Sequence, residues 1–533
     1  MALLDLVIRN GRILDGAGNP WFNGDIGIKD GKIVKVGKIA ERGEREIDAK
    51  GLFVSPGFVD IHTHADLTIL AVRNAESYIT QGITTAVASN CGLAMAPINP
   101  ERLELLKSYV SPFLVRDFDY GWDWRSFGEF YEKVEKGGIA INLVPLAGHG
   151  TIRIFVKGFD PSPPSPEELE RMKELLRECI DEGAFGLSTG LIYPPGSYSE
   201  TGEIIELAKV LAEKGGVYLS HIRNESKRLI EAVDEAIEIG EKAEVPVQIS
   251  HHKASGKPNW GKVNATLRLM ERARLRGVEV NCDVYPYPAG STTITALLPP
   301  WALQGGIQKM LERLKDKDVR AKIVKDIEED KFEGENFLKA AGWSGVLISQ
   351  CVNKDYEGRT LEEILRDRGR LDDPYDGLFD WMLEIKGDAA MVIFLMDEED
   401  VKTVISHPLS MIGSDSWVTA PSVGGKPHPR AYGTFPRVLG KYVKEERALS
   451  LEEAIKKMTS LPASKMRIPF RGLVKEGFWA DLVIFNFDKV KDKATFQEPH
   501  QYAEGIEYVL VNGELVLERG KVTGKRPGRV IKR

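Results

Sequence analysis

The sequence is poor in cysteine, in glutamine and in uninterrupted apolar stretches, and each shortage removes a class of protein. Four cysteines, Cys91, Cys179, Cys282 and Cys351, are spread over 533 residues with no Cys-x-x-Cys pair, so neither a disulfide framework nor a structural zinc knuckle is indicated. No apolar run is long enough to span a bilayer. The opening stretch carries Asp5 and Arg9 and has no basic segment ahead of its apolar residues, which argues against a secretory signal and makes the cytoplasm the expected location. No basic block occurs either. The net charge is −7 with acidic and basic residues interleaved, so neither nucleic acid nor a membrane surface is an expected partner. Glutamine occurs only 7 times while Glu, Lys and Arg are abundant, a bias that predicts a thermostable protein.

What is present is a globular composition, 42% hydrophobic and 28% charged, in a chain too long for one ordinary core. Residues 5–37 alternate apolar and polar positions between turn signals such as Asn10-Gly11 and Asp30-Gly31, and Ala480 to Phe485 and Tyr508 to Val511, the latter followed by Asn512-Gly513, repeat that style. Short antiparallel strands are expected at both ends, and because a lone small sheet is marginal the two ends are expected to pair. Between them eight apolar runs alternate with helical patterns, beginning at Gly57, Ile83, Ile141, Ala184, Val217, Val245, Val278 and Ser410. Ser165, Pro166 and Glu168 form a helix start with a capping box. The alternation suits an α/β fold, either a TIM-type (β/α)8 barrel or a doubly wound sheet. About 120 residues separate the seventh run from the eighth, several times a normal connection, with helical patterns around 306–328 and 360–370. The expected division is 1–56 and 467–533 as two parts of a β-sandwich, and 57–466 as a catalytic barrel with an insertion at about 288–407.

The polar residues favour the barrel. Asp60-Ile-His62-Thr-His64 ends the first run, and residues two apart on a strand share a face, so both imidazoles can aim at one point. Cys91 follows the second run, His221 the fifth, His251 the sixth and Asp415 the eighth. Catalytic residues of a barrel collect on that rim, and thiolate, imidazole and carboxylate form a donor set suited to zinc. Any one of these residues alone would pass as a structural strand end; their recurrence on one rim does not.

These residues carry a family resemblance. The chain resembles the amidohydrolase superfamily and, within it, the N-acyl-D-amino-acid deacylases, through Pro56-Gly-Phe-Val-Asp-Ile-His-Thr-His-Ala-Asp66, Asn90-Cys-Gly92, Gly148-His-Gly150, the stretch Gly183 to Gly196, His221-Ile-Arg-Asn-Glu225, Ile249-Ser-His-His-Lys253, Asp283-Val-Tyr-Pro-Tyr287, Gly413-Ser-Asp415 and His428-Pro-Arg430. The resemblance implies a barrel with a β-sandwich, and a tight Zn2+ held by Cys91, His221 and His251, with a weaker second position at His62, His64 and Asp415. It implies Asp415 as the proton-transferring group and Tyr193 near the scissile carbonyl. Arg430 matches the position that reads a substrate carboxylate, supported by Lys253, Tyr285 and Ser291. His149, Arg223, Glu225 and His252 lie in matched motifs as supporting positions without an assigned role. Most superfamily relatives bridge two metals with a modified Lys on the fourth strand, but Ala184 to Leu191 contains no Lys, and Cys91 is expected to supply the anionic ligand instead. The expected substrate is a small N-acylated amino acid; neither a monomer nor a homo-oligomer is singled out. The alternatives are a hydantoinase-like or isoaspartyl-dipeptidase-like hydrolase, against which the missing Lys speaks, and a non-catalytic assembly protein, against which the full ligand set speaks. Between Asp415 and His428 the chain departs from the resemblance, with Trp417 and no further histidine.

Overall fold

A computed structural model describes residues 3–332 and 334–533. Eight parallel strands run through the middle of the chain: β1 (Phe58–Asp60), β2 (Ile83–Ala88), β3 (Asn142–Pro145, resuming past Leu146 as Ala147–Gly148), β4 (Gly186–Gly190), β5 (Val217–His221), β6 (Val247–Ile249), β7 (Val280–Val284) and β8 (Ser410–Ile412). They pair in chain order, β1 through β3 in one sheet and the end of β3 through β8 in another. Thr63 and Ser416, just past β1 and β8, form a parallel bridge. Every residue of these strands is buried, which is why they read in the sequence as continuous apolar runs rather than alternating ones. Their connections include the helices Pro166–Asp181, Thr201–Lys214, Leu229–Ala243 and Val263–Leu275. The first starts as its sequence dictates, with a capping box between Ser165 and Glu168 and Pro166 in the first turn. The fold is mixed α/β.

The two chain ends share one nine-stranded sheet, in which Phe53–Pro56 pairs antiparallel with Leu482–Phe485. Its tight turns carry the residues that left-handed backbone favours: Asp30-Gly31 with φ of 50° and 74°, and Asn512-Gly513 with φ of 50° and 84°.

The long stretch after β7 has its own core, including Leu297, Met310, Ile323, Phe379, Trp381 and Met391. Helices Ile307–Arg313, Lys317–Glu329 and Leu361–Asp367 stand where the sequence places helical patterns. The sequence reading has no counterpart for the three-stranded antiparallel sheet of Ala289–Thr293, Ala389–Phe394 and Val346–Cys351. Helix Glu398–Ser406, at the end of this stretch, packs against Val263–Leu275, β7 and β8. Among the described residues no helix is long and apolar enough to cross a membrane.

Candidate metal centre

The turns after β2, β6 and β8 each pass through a residue in the left-handed region: Cys91 (φ 54°), His251 (φ 34°) and Asp415 (φ 51°), with Ser89 (φ 66°) just ahead of Cys91. Such a backbone costs non-glycine residues on the order of 1–3 kcal/mol each and persists only where the surroundings impose it. His221 needs no such bend, being the last residue of β5. The turns after β1 and β8 are laced together, Asp415 N donating to His62 O and His64 N to Ser416 O, each at 2.8 Å. Gly413 makes that approach feasible, since a Cβ there would lie 2.7 Å from His62 Cβ.

Six side chains thereby converge. Cys91 Sγ lies 3.3 Å from His62 Nε2 and 3.4 Å from His251 Nε2, and His251 Nε2 lies 3.0 Å from His221 Nδ1. Asp415 Oδ1 is 3.4 Å from His62 Nε2 and 3.2 Å from His64 Nε2. The donor atoms of His62, Cys91, His251 and Asp415 all lie within 4.8 Å of one another. Bond lengths of about 2.1 Å to nitrogen and 2.3 Å to sulfur at tetrahedral angles give donor separations of about 3.4–3.6 Å, so the cluster has the span of a zinc coordination shell. The resemblance divides these residues between two ions. The structure runs the two groups together, with Cys91 Sγ and His251 Nε2 between His221 on one side and the His62, His64 and Asp415 group on the other.

The electrostatics suit a cation. Burial pushes the Cys91 thiol up, but the surrounding imidazoles outweigh it and hold the group well below the ordinary thiol range, as a thiolate. Burial likewise opposes ionisation of Asp415, and Arg430 with the neighbouring histidines overrides it. Behind His251, Glu225 Oε1 lies 3.0 Å from Nδ1 and 2.6 Å from Lys253 Nζ. Lys253 Nζ also stands 2.8 Å from that Nδ1, so Glu225 and Lys253 together hold the ring with Nε2 turned towards Cys91, the kind of support usual behind a metal-binding histidine. Asp283, at the end of β7, holds the turn that carries His251, Oδ1 accepting from His251 N at 2.7 Å, and stands 3.2 Å from His62 Nδ1 but off the hydrogen-bond direction.

Every residue expected at the site except His62 lines one cavity, and His62 is completely buried beside it. Tyr193 accepts a hydrogen bond from Thr292 Oγ1 at 2.8 Å. Arg430 Cζ lies 4.7 Å and Lys253 Nζ 5.5 Å from the Tyr285 ring centre. Among the described residues Ser291 Oγ has no hydrogen-bond partner. Arg430 Nη1 is 2.8 Å from Asp415 Oδ2 but off the hydrogen-bond direction, so the two form an ion pair without a hydrogen bond from that nitrogen.

Of the four supporting positions, only Glu225 stands against the donor cluster. His252 turns instead to Thr266 Oγ1, 2.8 Å away on helix Val263–Leu275. His149 bonds Glu203, and Arg223 bonds Glu235 and the carbonyls of Ser197 and Ser199, beneath the loop that carries Tyr193. The sequence reading leaves Asp283 without a role, although a carboxylate at the C-terminal end of a strand is the same signal that marks Asp415. It also omits Glu335, which reaches the cavity from the long insertion, accepts from Glu225 N, and is pushed up to about 7 by burial and by the Glu225 carboxylate. A lone Glu in such a stretch carries no sequence signal.

A buried cysteine, histidine and carboxylate cluster at the C-terminal ends of parallel strands defines a metal-dependent hydrolase. The chain belongs to the amidohydrolase family, whose model matches residues 45–517. It is 33% identical to the D-aminoacylase of Alcaligenes xylosoxydans xylosoxydans over 99% of this chain and 98% of that protein. It is 35% identical to the N-acyl-D-aspartate deacylase of the same organism, over 99% and 95%. Among solved structures, the N-acyl-D-glutamate deacylase of Bordetella bronchiseptica, complexed with zinc and a phosphonate inhibitor, matches with a TM-score of 0.83 at 32% identity, covering 100% of both chains.

Proposed function

We propose that this protein hydrolyses the amide bond of N-acyl-D-amino acids, releasing a carboxylate and a D-amino acid, with zinc as its metal and a (β/α)8 barrel as its scaffold. The observation that carries the reading is that two groups line one cavity side by side: the donor cluster centred on Cys91, and Arg430 with Lys253, Tyr285 and Ser291, with Arg430 2.8 Å from Asp415. An amide substrate with a carboxylate near its scissile bond can meet both groups at once, and a bidentate Arg contact fixes its orientation as well as its charge. The strand Gly186–Gly190 offers no Lys, which favours this reading over a hydantoinase-like one. The D configuration follows from the relatives named for D substrates.

Zinc, when bound, polarises the amide carbonyl and makes water a nucleophile near neutral pH. Asp415 is an ionised member of the donor cluster, so it takes the proton of the attacking water and passes it to the departing amine. Because the Tyr193 oxygen already accepts from Thr292, its own O–H is available to donate to the developing oxyanion. Pairing of Phe53–Pro56 with Leu482–Phe485 supports a β-sandwich built from 1–56 and 467–533 around the catalytic region 57–466.

A hydrolysis screen tests the proposal. N-acetyl-D-amino acids should be cleaved, while their methyl esters, hydantoins and isoaspartyl dipeptides should be poor substrates; preferential cleavage of hydantoins or isoaspartyl dipeptides would refute it.

A further inference from the structure

We infer that both variable arms of the substrate, the amino-acid side chain and the acyl group, are uncharged and apolar, so that this chain differs in specificity from relatives named for D-aspartate and D-glutamate. The inference rests on the deacylase reading above and narrows its substrate class. Overall identity does not decide the matter, because 35% to an aspartate-named relative and 33% to a D-aminoacylase are equivalent. The cavity wall does.

Away from the donor cluster the wall is apolar and comes from two directions. Tyr109, Phe113 and Phe159 approach from the connections after β2 and β3, and Leu298, Phe337 and Leu395 from the insertion. Trp417, the residue that departs from the resemblance, stands with its ring centre 5.8 Å from that of Phe113 and closes the wall beside Asp415. Among the described lining residues the Lys and Arg side chains are Lys253 and Arg430. Each already faces a carboxylate, Lys253 with Glu225 at 2.6 Å and Arg430 with Asp415 at 2.8 Å, and both lie against the Tyr285 ring. These two side chains suffice for one substrate carboxylate next to the scissile amide. The remaining polar lining is serine and threonine hydroxyls, Tyr hydroxyls and Glu335, none of them a cation. A second carboxylate would therefore leave water for an apolar wall without a counter-charge, which is strongly unfavourable. A methionine or leucine side chain, or a longer acyl chain, gains by the same burial.

The test compares N-acetyl derivatives of D-methionine, D-glutamine and D-glutamate, three side chains of similar length that differ in polarity and charge, by kcat/KM at neutral pH. The methionine derivative should exceed the glutamate derivative at least about 100-fold, with glutamine between them. A methionine-to-glutamate ratio below about 10 overturns the inference and leaves the deacylase reading standing. Failure to hydrolyse all three while a hydantoin is cleaved overturns both.

Discussion

Glu225 and Lys253 meet at 2.6 Å, both buried, directly behind His251, whose Nδ1 is 3.0 Å from the same Glu225 oxygen. The pair neutralises two charges that water does not reach easily, and with Lys253 Nζ 2.8 Å from the same Nδ1 it fixes the ring that stands at the centre of the donor cluster. Glu225→Gln should raise the zinc dissociation constant about 10- to 100-fold and, by stranding the Lys253 ammonium, destabilise the fold by about 3–5 kcal/mol. Adding Lys253→Met should restore much of the stability but not the metal affinity. Chelator competition and denaturant unfolding of the two variants separate these effects, and unchanged zinc affinity in Glu225→Gln would remove the positioning role.

Cys91 is expected to bind as thiolate, whereas Cys179 is buried on helix Pro166–Asp181 with its thiol raised by burial. Elemental analysis should find that Cys91→Ala has lost most of its zinc and Cys179→Ala has not. Equal metal content in both would contradict the ligand set.

The eight strands and the rim residues were legible because parallel strands buried on both faces leave unmistakable apolar runs, and because a polar residue ending such a run can face the strand mouths. Less was legible where pairing is non-local. Ala289-Gly-Ser-Thr-Thr293 has no apolar alternation and becomes a strand through its partner Ala389–Phe394, about 100 residues on. His251 and His252 part because His251 sits in a left-handed turn past the end of β6, with φ 34°, which aims it at the cluster while His252 meets Thr266; residue spacing alone does not announce such a turn. How close the two expected metal groups stand, with His251 common to both sets of donors, depends on the approach of the turns after β1, β2, β6 and β8, which spacing along the chain does not encode.

Asp415→Asn keeps the shape of the side chain but removes its basicity. The variant should fold and retain zinc at the tight site of Cys91, His221 and His251 while kcat falls by at least about 100-fold. Metal analysis together with steady-state rates checks this, and near-normal turnover would assign the proton transfer to another group.

Beneath the Tyr193 loop, Glu203 is buried with His149 and Arg153. Burial pushes its carboxyl up, but the hydrogen bonds and charges of His149 and Arg153 outweigh it and hold it at about 2, against an ordinary 4.5. A depressed folded-state value means stabilisation that is complete above about 4.5 and lost as pH falls towards 2. At pH 6 Glu203→Gln should be less stable than the parent by about 3 kcal/mol, the worth of that shift at ~1.4 kcal/mol per pH unit. The gap should narrow steadily between pH 4.5 and 2.5, as urea unfolding at each pH will report; a gap independent of pH would show that Glu203 acts by packing.

The most direct test of the account is the ratio of kcat/KM for N-acetyl-D-methionine to that for N-acetyl-L-methionine on the zinc-loaded enzyme. On the proposed reading, in which Arg430 holds the carboxylate and the donor cluster the carbonyl, only one enantiomer can direct its side chain into the free volume. The account predicts amide cleavage with the D substrate favoured at least about 100-fold; preference for the L substrate, or no cleavage of either, would contradict it.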